Sequence, residues 1–346
     1  MSKIAMSIVV PCYKVEQYLP RCIDSLVCQT LENIELIFIN DGSPDKCIDI
    51  LKDYKLMYPD KIVIIDKDNE GVWAGRWDAI KIARGDYIGF LDSDDYARPT
   101  FAEELYTAAV KSDADISVCG FDRVDLKTGK VLSREMVSAR PEFRISDNPG
   151  RLVELNGAPW NKCFRASVLK KLVDLSDPPQ VLDDLCFHLI AYNKMSGSVV
   201  FVPSSLVCYM VREGSIINSV KTSQIDSILT SFIEIKERYL LDSPSLIESL
   251  DAIAFLHLGI SFAFRIATSP EANKLKDYIC RITNYLDCNF PSWRKSPYIN
   301  YRYAIRYRGV FLKLLVVQCL FKAGFISVFF KLYQLMIEKC HIDIKW

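Results

Sequence analysis

Tyr87-Ile88-Gly89-Phe90-Leu91-Asp92-Ser93-Asp94-Asp95 is an apolar run that ends in three carboxylates within four residues. The run is short, rich in aromatic and β-branched residues, and bounded by Gly85 and by Arg98-Pro99, which predicts a buried strand rather than a helix. The acids therefore fall at the carboxyl end of that strand, where open α/β sheets bind their ligands. Three adjacent carboxylates repel one another unless positive charge sits among them, and a hard divalent cation with oxygen ligands meets that need. For the motif alone, an exposed acidic turn before the next helix is the better reading. Only its company can overturn that.

Ser7-Ile8-Val9-Val10 predicts a short buried strand broken by Pro11, followed by the loop Cys12-Tyr13-Lys14-Val15. Leu19, Cys22, Ile23, Leu26 and Val27 recur at helical spacing. A second strand, Glu35 to Ile39, ends in the dense turn signal Asn40-Asp41-Gly42-Ser43-Pro44-Asp45, which opens a helix to about Tyr58. Ile62 to Ile65 is a third strand, followed by a helix around Trp73 to Ala83. The acid-tipped stretch is the fourth strand, and a helix (Ala102 to Val110) and a strand (Ile116 to Cys119) follow it. Such alternation calls for an α/β fold, a mostly parallel sheet with helices on both faces. The loops at Pro11 to Val15, Asn40 to Asp45 and Asp92 to Asp95 then share one rim.

Beyond Phe121 the pattern loosens. Asp122 to Gly150 reads as a hairpin or excursion near the site, and Val199 to Val202 with Leu206 to Tyr209 as a strand pair around Pro203-Ser204-Ser205. Helical periodicity dominates from about Ser223, so a boundary is expected near residue 220.

The net charge is zero, which gives no sign of nucleic-acid binding, but the stretch from Arg294 to Trp346 carries ten Lys/Arg against two Asp/Glu. Twelve cysteines form no C-x-x-C pair, and no export signal opens the chain. Reduced thiols in a cytoplasmic protein are expected. Glycine-rich dinucleotide and phosphate-loop signatures are missing. The three histidines, His188, His257 and His341, make neither a zinc site nor a Ser-His-Asp triad, and His188 reads as structural. What remains is carboxylate chemistry: Asp41 with Asp45, Asp92 with Asp94 and Asp95, and Asp183 with Asp184. Each alone is explained as a cap or an acidic first turn; together, with Arg76 and Arg212 among them, they are harder to dismiss.

Here the residues resemble a known family. Ser7 to Tyr13, Asn40 to Asp45, Asn69-Glu70-Gly71 followed by Arg76, and Phe90 to Asp95 resemble the nucleotide-binding half of family 2 glycosyltransferases with the GT-A fold. Trp160-Asn161-Lys162, Asp183 to Phe187, and Tyr209 through Arg212 to Ser215 extend the resemblance more weakly to about residue 220. The resemblance implies a catalytic domain over residues 1–220, with a nucleotide-binding half at about 7–121 and an acceptor half at about 122–220. The helical region expected over 221–346 lies where the resemblance thins, and the excess of Lys/Arg from Arg294 onward points instead to contact with the cytosolic face of a membrane, with packing on a second copy as the other reading.

The resemblance also implies a division of labour. Pro11 and Tyr13 would border the base and Asp41 would accept its N–H. Asp92 would face the ribose and sugar, Asp94 would bind Mn²⁺ or Mg²⁺, and Asp95 would support the turn. Asn69, Arg76 and Ser93 would lie on the nucleotide-sugar donor, Arg212 and Ser215 on a loop over the diphosphate, and Asp184 would be the general base. The chemistry asks for these types, because a diphosphate departs readily only if its charge is met, and a hydroxyl attacks only if its proton is taken. The implied reaction is metal-dependent, inverting transfer from a UDP-sugar to a hydroxyl of a glycan or lipid-linked glycan. Transfer to a polyprenyl phosphate, and an inert nucleotide-sugar binder, stay open as alternatives. Gly75-Arg76-Trp77-Asp78-Ala79 departs from the family's usual Ala-Arg-Asn-x-Gly, which is the inert reading's only support, and Trp77 is expected to pack.

Overall fold

Strand β1 (Met6–Cys12) is buried along nearly its whole length, and its successive residues serve opposite layers. Ile8, Val10 and Cys12 join one core cluster with Leu19, Leu26, Leu51, Phe101 and Leu105, while the equally buried Val9 lies outside it. In β2 (Ile34–Asp41), Leu36 and Phe38 face that cluster and Ile37 and Ile39 do not. Strands buried at nearly every position need cover on both faces. Helices α1 (Leu19–Val27) and α2 (Cys47–Met57) cover one face, α3 (Gly71–Ile82) packs on β1 and β2 from the other, and α4 (Phe101–Lys111) joins α1 and α2. The chain is described as a computed structural model covering residues 3–212 and 224–340, with side chains as far as residue 333.

The remaining strands are β3 (Ile62–Lys67), β4 (Tyr87–Phe90), β5 (Tyr96–Ala97), β6 (Ala114–Asp125), β7 (Val131–Glu135), β8 (Phe143–Arg144), β9 (Lys162–Arg165) and β10 (Ser198–Val211). They form one sheet in the order β3-β2-β1-β4-β9-β6-β10-β5, with β7 on β6 and β8 on β10. The block β3-β2-β1-β4 is parallel, β9 runs antiparallel between β4 and β6, and β6 and β10 are parallel again. From β1 the chain steps outward to β2 and β3 and then returns to β4 on the other side of β1. That reversal opens a crevice at the carboxyl ends of β1 and β4.

Two expectations need correction. Pro11 does not break β1, which continues to Cys12; Pro11 falls beyond the last β1–β4 pair, Val9 with Phe90, where one side of the strand has no ladder partner. Nor is there a strand pair around Pro203: β10 is one strand that absorbs Pro203-Ser204-Ser205 as irregular register against β6. The excursion after Phe121 is a hairpin of β6 and β7.

The chain divides into two compact units that interleave, where a single cut near residue 220 was expected. The first comprises Met1–Asp147, Gly157–Asp174 and Ile190–Glu213, including the sheet and the short helix α5 (Ala166–Leu169). The second comprises Asn148–Asn156, Leu175–Leu189 and Gly214–Trp346. It is helical, with most of α6 (Asp183–Tyr192), then α7 (Ile225–Asp242), α8 (Ile247–Ala254), α9 (Phe262–Ala267), α10 (Leu275–Asn289), α11 (Tyr301–Tyr307), α12 (Val310–Lys322) and α13 (Ile326–Cys340). Trp293, fully buried, stacks on Phe255 and meets Phe321 edge-on, joining these helices into a core. The run Pro244–Ala267 is long and apolar enough to cross a membrane, but 83% of its most apolar 18-residue window is buried, as in the core helix of a folded unit.

Gly42, at the end of β2, has φ +59°, and a Cβ there would lie 2.6 Å from the Asn69 nitrogen. Both facts require glycine where the loops after β2 and β3 meet. Gly42→Ala should therefore lower unfolding free energy by at least ~1–2 kcal/mol, read from urea midpoints.

Candidate functional site

The crevice at β1 and β4 is where the acidic stretch arrives. Leu91 still donates to the Val9 carbonyl at 3.0 Å, after which a turn closed by Asp95 N–H on the Asp92 carbonyl, 3.0 Å, gathers the acids. Carboxylate oxygens of Asp92, Asp94 and Asp95 all lie within 4.8 Å of one another. Asp92 and Asp94 are partly exposed and Asp95 is buried. Asp95 Oδ1 accepts the Met210 N–H at 2.7 Å, while its Oδ2 is buried without a hydrogen-bond partner among the described residues. Burial first, then the charges of Asp92 and Asp94, push the Asp95 carboxyl well above the ordinary range, against the Met210 N–H and Arg21.

The same Met210 contact places a cation. β5 pairs with β10 just after the acid turn, and two residues beyond Met210 the Arg212 guanidinium lies 2.8 Å from Asp94 Oδ2 and over the Tyr18 ring. Arg21, from α1, donates to the Asp94 carbonyl at 3.3 Å and covers the Tyr96 ring. Tyr18 and Arg21 were missed in the sequence. Their spacing of three, from the N-cap into the first turn of α1, was the available signal.

Asp41, at the tip of β2, is buried, and each of its oxygens accepts a backbone N–H from the start of α3: Glu70 on Oδ1 and Gly71 on Oδ2, both at 2.9 Å. Its negative charge meets the positive end of the helix. Asp45 stands apart from the acid cluster. It accepts Glu16 N–H at 3.0 Å, Cys47 N–H at 3.1 Å and the Ser43 hydroxyl at 2.6 Å, pinning the β2–α2 loop to the loop after β1. Burial works against its charge, but the hydrogen bonds from Cys47, Ser43 and Glu16 win and lower its carboxyl to about 2.

Pro11 is half-buried at the end of β1 and Tyr13 is exposed just beyond it, with the Lys14 ammonium over its ring. Asn69 is exposed after β3, Arg76 is buried in α3, and Ser93 is buried beside the Cys12 thiol. Trp77 packs edge-on against Trp73, whose indole N–H donates to Asp174 at 2.6 Å. Ala79 is fully buried, and a Cβ at position 75 would come within 3.1 Å of the Ile39 side chain. The departures from the family pattern in α3 are thus packing positions. Trp160, Asn161 and Lys162 are interior too: Trp160 stacks on Tyr209, and Asn161 donates to the Cys119 carbonyl at 2.7 Å.

The first unit therefore brings Pro11, Tyr13, Asp41, Asn69, Arg76, Asp92, Ser93, Asp94 and Arg212 onto carboxyl ends of its strands or the elements next to them. Asp183 and Asp184 open α6 in the second unit, after Leu182 in a left-handed conformation, φ +62°. The fully buried His188 has Nδ1 2.6 Å from the Asp184 carbonyl, which fits a structural histidine. Ser215 and His341 lie outside the described residues.

The donor set of the acid cluster is all carboxylate oxygen, and one of those oxygens is buried without a partner. Both fit a hard divalent cation of the Mg²⁺ or Mn²⁺ kind.

Comparison with known proteins bears on the same segment. The family model for glycosyl transferase family 2 matches residues 7–173. The putative glycosyltransferase EpsH of Bacillus subtilis is 29% identical over 268 residues, covering 75% of this chain and 77% of that protein. The uncharacterized glycosyltransferase EpsJ of the same organism is 44% identical over 194 residues, or 55% of this chain and 56% of that one. Among solved structures, S. aureus TarS 1-349 in complex with UDP-GlcNAc superposes with a TM-score of 0.67 at 17% identity, covering 97% of this chain and 92% of that one.

Asp95→Ala orphans the buried Met210 N–H and should cost ~1–3 kcal/mol of stability, whereas Asp95→Asn keeps an oxygen for it and should cost less. A raised carboxyl pKa means that the folded state holds the proton more firmly than the unfolded one. Metal-free protein should therefore lose stability as pH rises from about 4 toward the folded value, a slope that Asp95→Asn removes in urea titrations across pH.

Proposed function

Residues 7–173 belong to glycosyl transferase family 2, within a GT-A fold, and from that premise we propose that the chain moves a sugar from a UDP-sugar to a hydroxyl of a glycan or lipid-linked glycan, with inversion. The observation that carries this reading is the meeting of Asp92, Asp94 and Asp95 in the crevice of β1 and β4, with Arg212 held on Asp94.

Each residue is assigned a task that its surroundings suit. Asp41 binds the base: its two contacts to α3 fix the carboxylate and leave each oxygen a second lone pair for a base N–H. Tyr13, exposed beside Pro11, offers a ring face for the same base. Asp94 would hold a Mn²⁺ or Mg²⁺ ion, with Asp92 turned to the ribose and sugar and Asp95 behind them. When bound, that ion neutralises charge on the nucleoside diphosphate leaving group. Arg212 supplies fixed positive charge at the same place, and Asp184 takes the proton of the acceptor hydroxyl as the new bond forms. One base acting opposite the leaving group gives inversion, without the paired carboxylates of a glycosidase. Trp77 and Ala79, as packing residues, lend no weight to an inert binder. Free buried thiols at Cys12, Cys22, Cys47, Cys119 and Cys163 suit the reducing cytosolic side.

A panel of nucleotide sugars with Mn²⁺ tests the class directly. UDP-sugars should release UDP slowly by donor hydrolysis, faster with acceptor present; binding without release from any donor would overturn the reading. Asp94→Asn should lower metal-dependent turnover by at least ~100-fold while the fold, read by circular dichroism, is kept. Asp184→Asn should leave donor affinity in isothermal titration within about twofold and cut transfer by ~100-fold or more. Normal transfer in that variant would move the base elsewhere, with Asp183 the next candidate.

A further inference from the structure

Helix α12 is apolar on every side, a composition that normally means complete burial. Here it is buried on one side only. Phe311, Leu314, Val317 and Phe321 enter the core of the second unit, and so does Gln318, 2% exposed, whose amide donates to the Trp293 carbonyl. The solvent side holds Leu312 (52% exposed), Val316 (51%) and Cys319, at the spacing of one helical stripe. The central polar residue of the helix thus faces the protein, while two of its aliphatic residues, Leu312 and Val316, face water. Past Gly324 the pattern repeats, with Phe325 (61%), Val328 (53%) and Leu332 (57%) exposed while Ile326, Phe330 and Tyr333 are buried. Side chains of this size, exposed in consecutive stripes, mark an interaction surface.

Charge decides what covers it. From residue 288 to residue 337 the sequence holds eight Lys/Arg and no Asp/Glu. Lys313, Lys322 and Lys331 border the stripes, and Arg302, exposed, lies with exposed Tyr301 and Ile305 on α11. A second copy would bring the same cations against these, which like-charge repulsion disfavours. An anionic lipid surface satisfies both terms, since it takes aliphatic side chains at the headgroup boundary and attracts the lysines that rim them. We propose that Leu312, Val316, Phe325, Val328 and Leu332, rimmed by Lys313, Lys322 and Lys331, form a docking surface for anionic membrane lipid. The inference is independent of the sugar-transfer reading, because its readout is binding to lipid rather than turnover.

The full chain is sedimented with vesicles of phosphatidylglycerol and phosphatidylcholine, and with phosphatidylcholine alone. The wild type should bind the anionic vesicles at least ~10-fold more tightly, and added salt should weaken that binding. Leu312→Glu/Val316→Glu/Phe325→Glu/Leu332→Glu should reduce anionic-vesicle binding by ~100-fold or more with donor hydrolysis unchanged. Lys313→Gln/Lys322→Gln/Lys331→Gln, which leaves the aliphatic stripes in place, should weaken it about fivefold per lysine. Three results would overturn the proposal: no preference for anionic vesicles, undiminished binding by both variants, or a wild-type dimer in light scattering that the glutamate variant dissociates while neither protein binds lipid.

Discussion

The hydrogen bond from the Met210 N–H to Asp95 is the constraint on which the site rests. At 2.7 Å it joins the turn after β4 to a strand 115 residues later in the chain. It works because Asp95 is buried: a carboxyl driven out of water and crowded by two neighbouring acids needs a donor, and a strand edge needs an acceptor. Each supplies the other. With β10 fixed there, β5 finds its partner and Arg212 reaches Asp94. A repulsive cluster and a distant cation are thereby assembled by one backbone contact. Arg21 adds a second cation on the Asp94 carbonyl, so positive charge reaches the acid turn from two elements that share no sequence neighbourhood.

Much of the first unit was legible because its strands are short apolar runs punctuated by Asn, Asp, Gly and Pro. β2 ends where Asn40-Asp41 ends its apolar run, and β4 ends at Phe90, one residue before Leu91 gives way to Asp92. The places that misled are those where tertiary pairing overrode a local signal. Pro203-Ser204-Ser205 has the composition of a turn, yet β6 runs alongside it and holds the chain extended through a bulge. Pro11 should end a strand, but β4 has already stopped beside it and asks nothing of the missing N–H. Asp45 was grouped with the acids by residue type, whereas its donors are all loop and helix-end groups.

The helical unit was read less completely, for a different reason. A helix apolar on all sides has no periodicity to say which side the core will take, so α12 gave composition without direction. Its packing shows which way it turns: Phe311, Leu314, Val317 and Phe321 are buried, and the Gln318 amide lies on the Trp293 carbonyl. The apolar run Pro244–Ala267 has the composition of a membrane span and the burial of a core helix, a difference that packing alone supplies.

The interleaving of the two units has a consequence for how such a chain can be inherited. Residues 148–156 and 175–189 lie early in the sequence but pack with the late helices: Gly150 abuts Tyr298, Asn148 bonds the Tyr303 and Tyr307 hydroxyls, Ser176 meets Glu234, and the Tyr239 hydroxyl closes on the Leu189 carbonyl. Recombination at residue 220 would deliver a sheet carrying two orphaned segments, Asp183 and Asp184 among them, and a bundle missing two of its pieces. Exchange of the helical half between relatives therefore has to be accompanied by matching change in these two early segments. The catalytic and helical portions are bound to drift as one lineage rather than to be shuffled as separate cassettes.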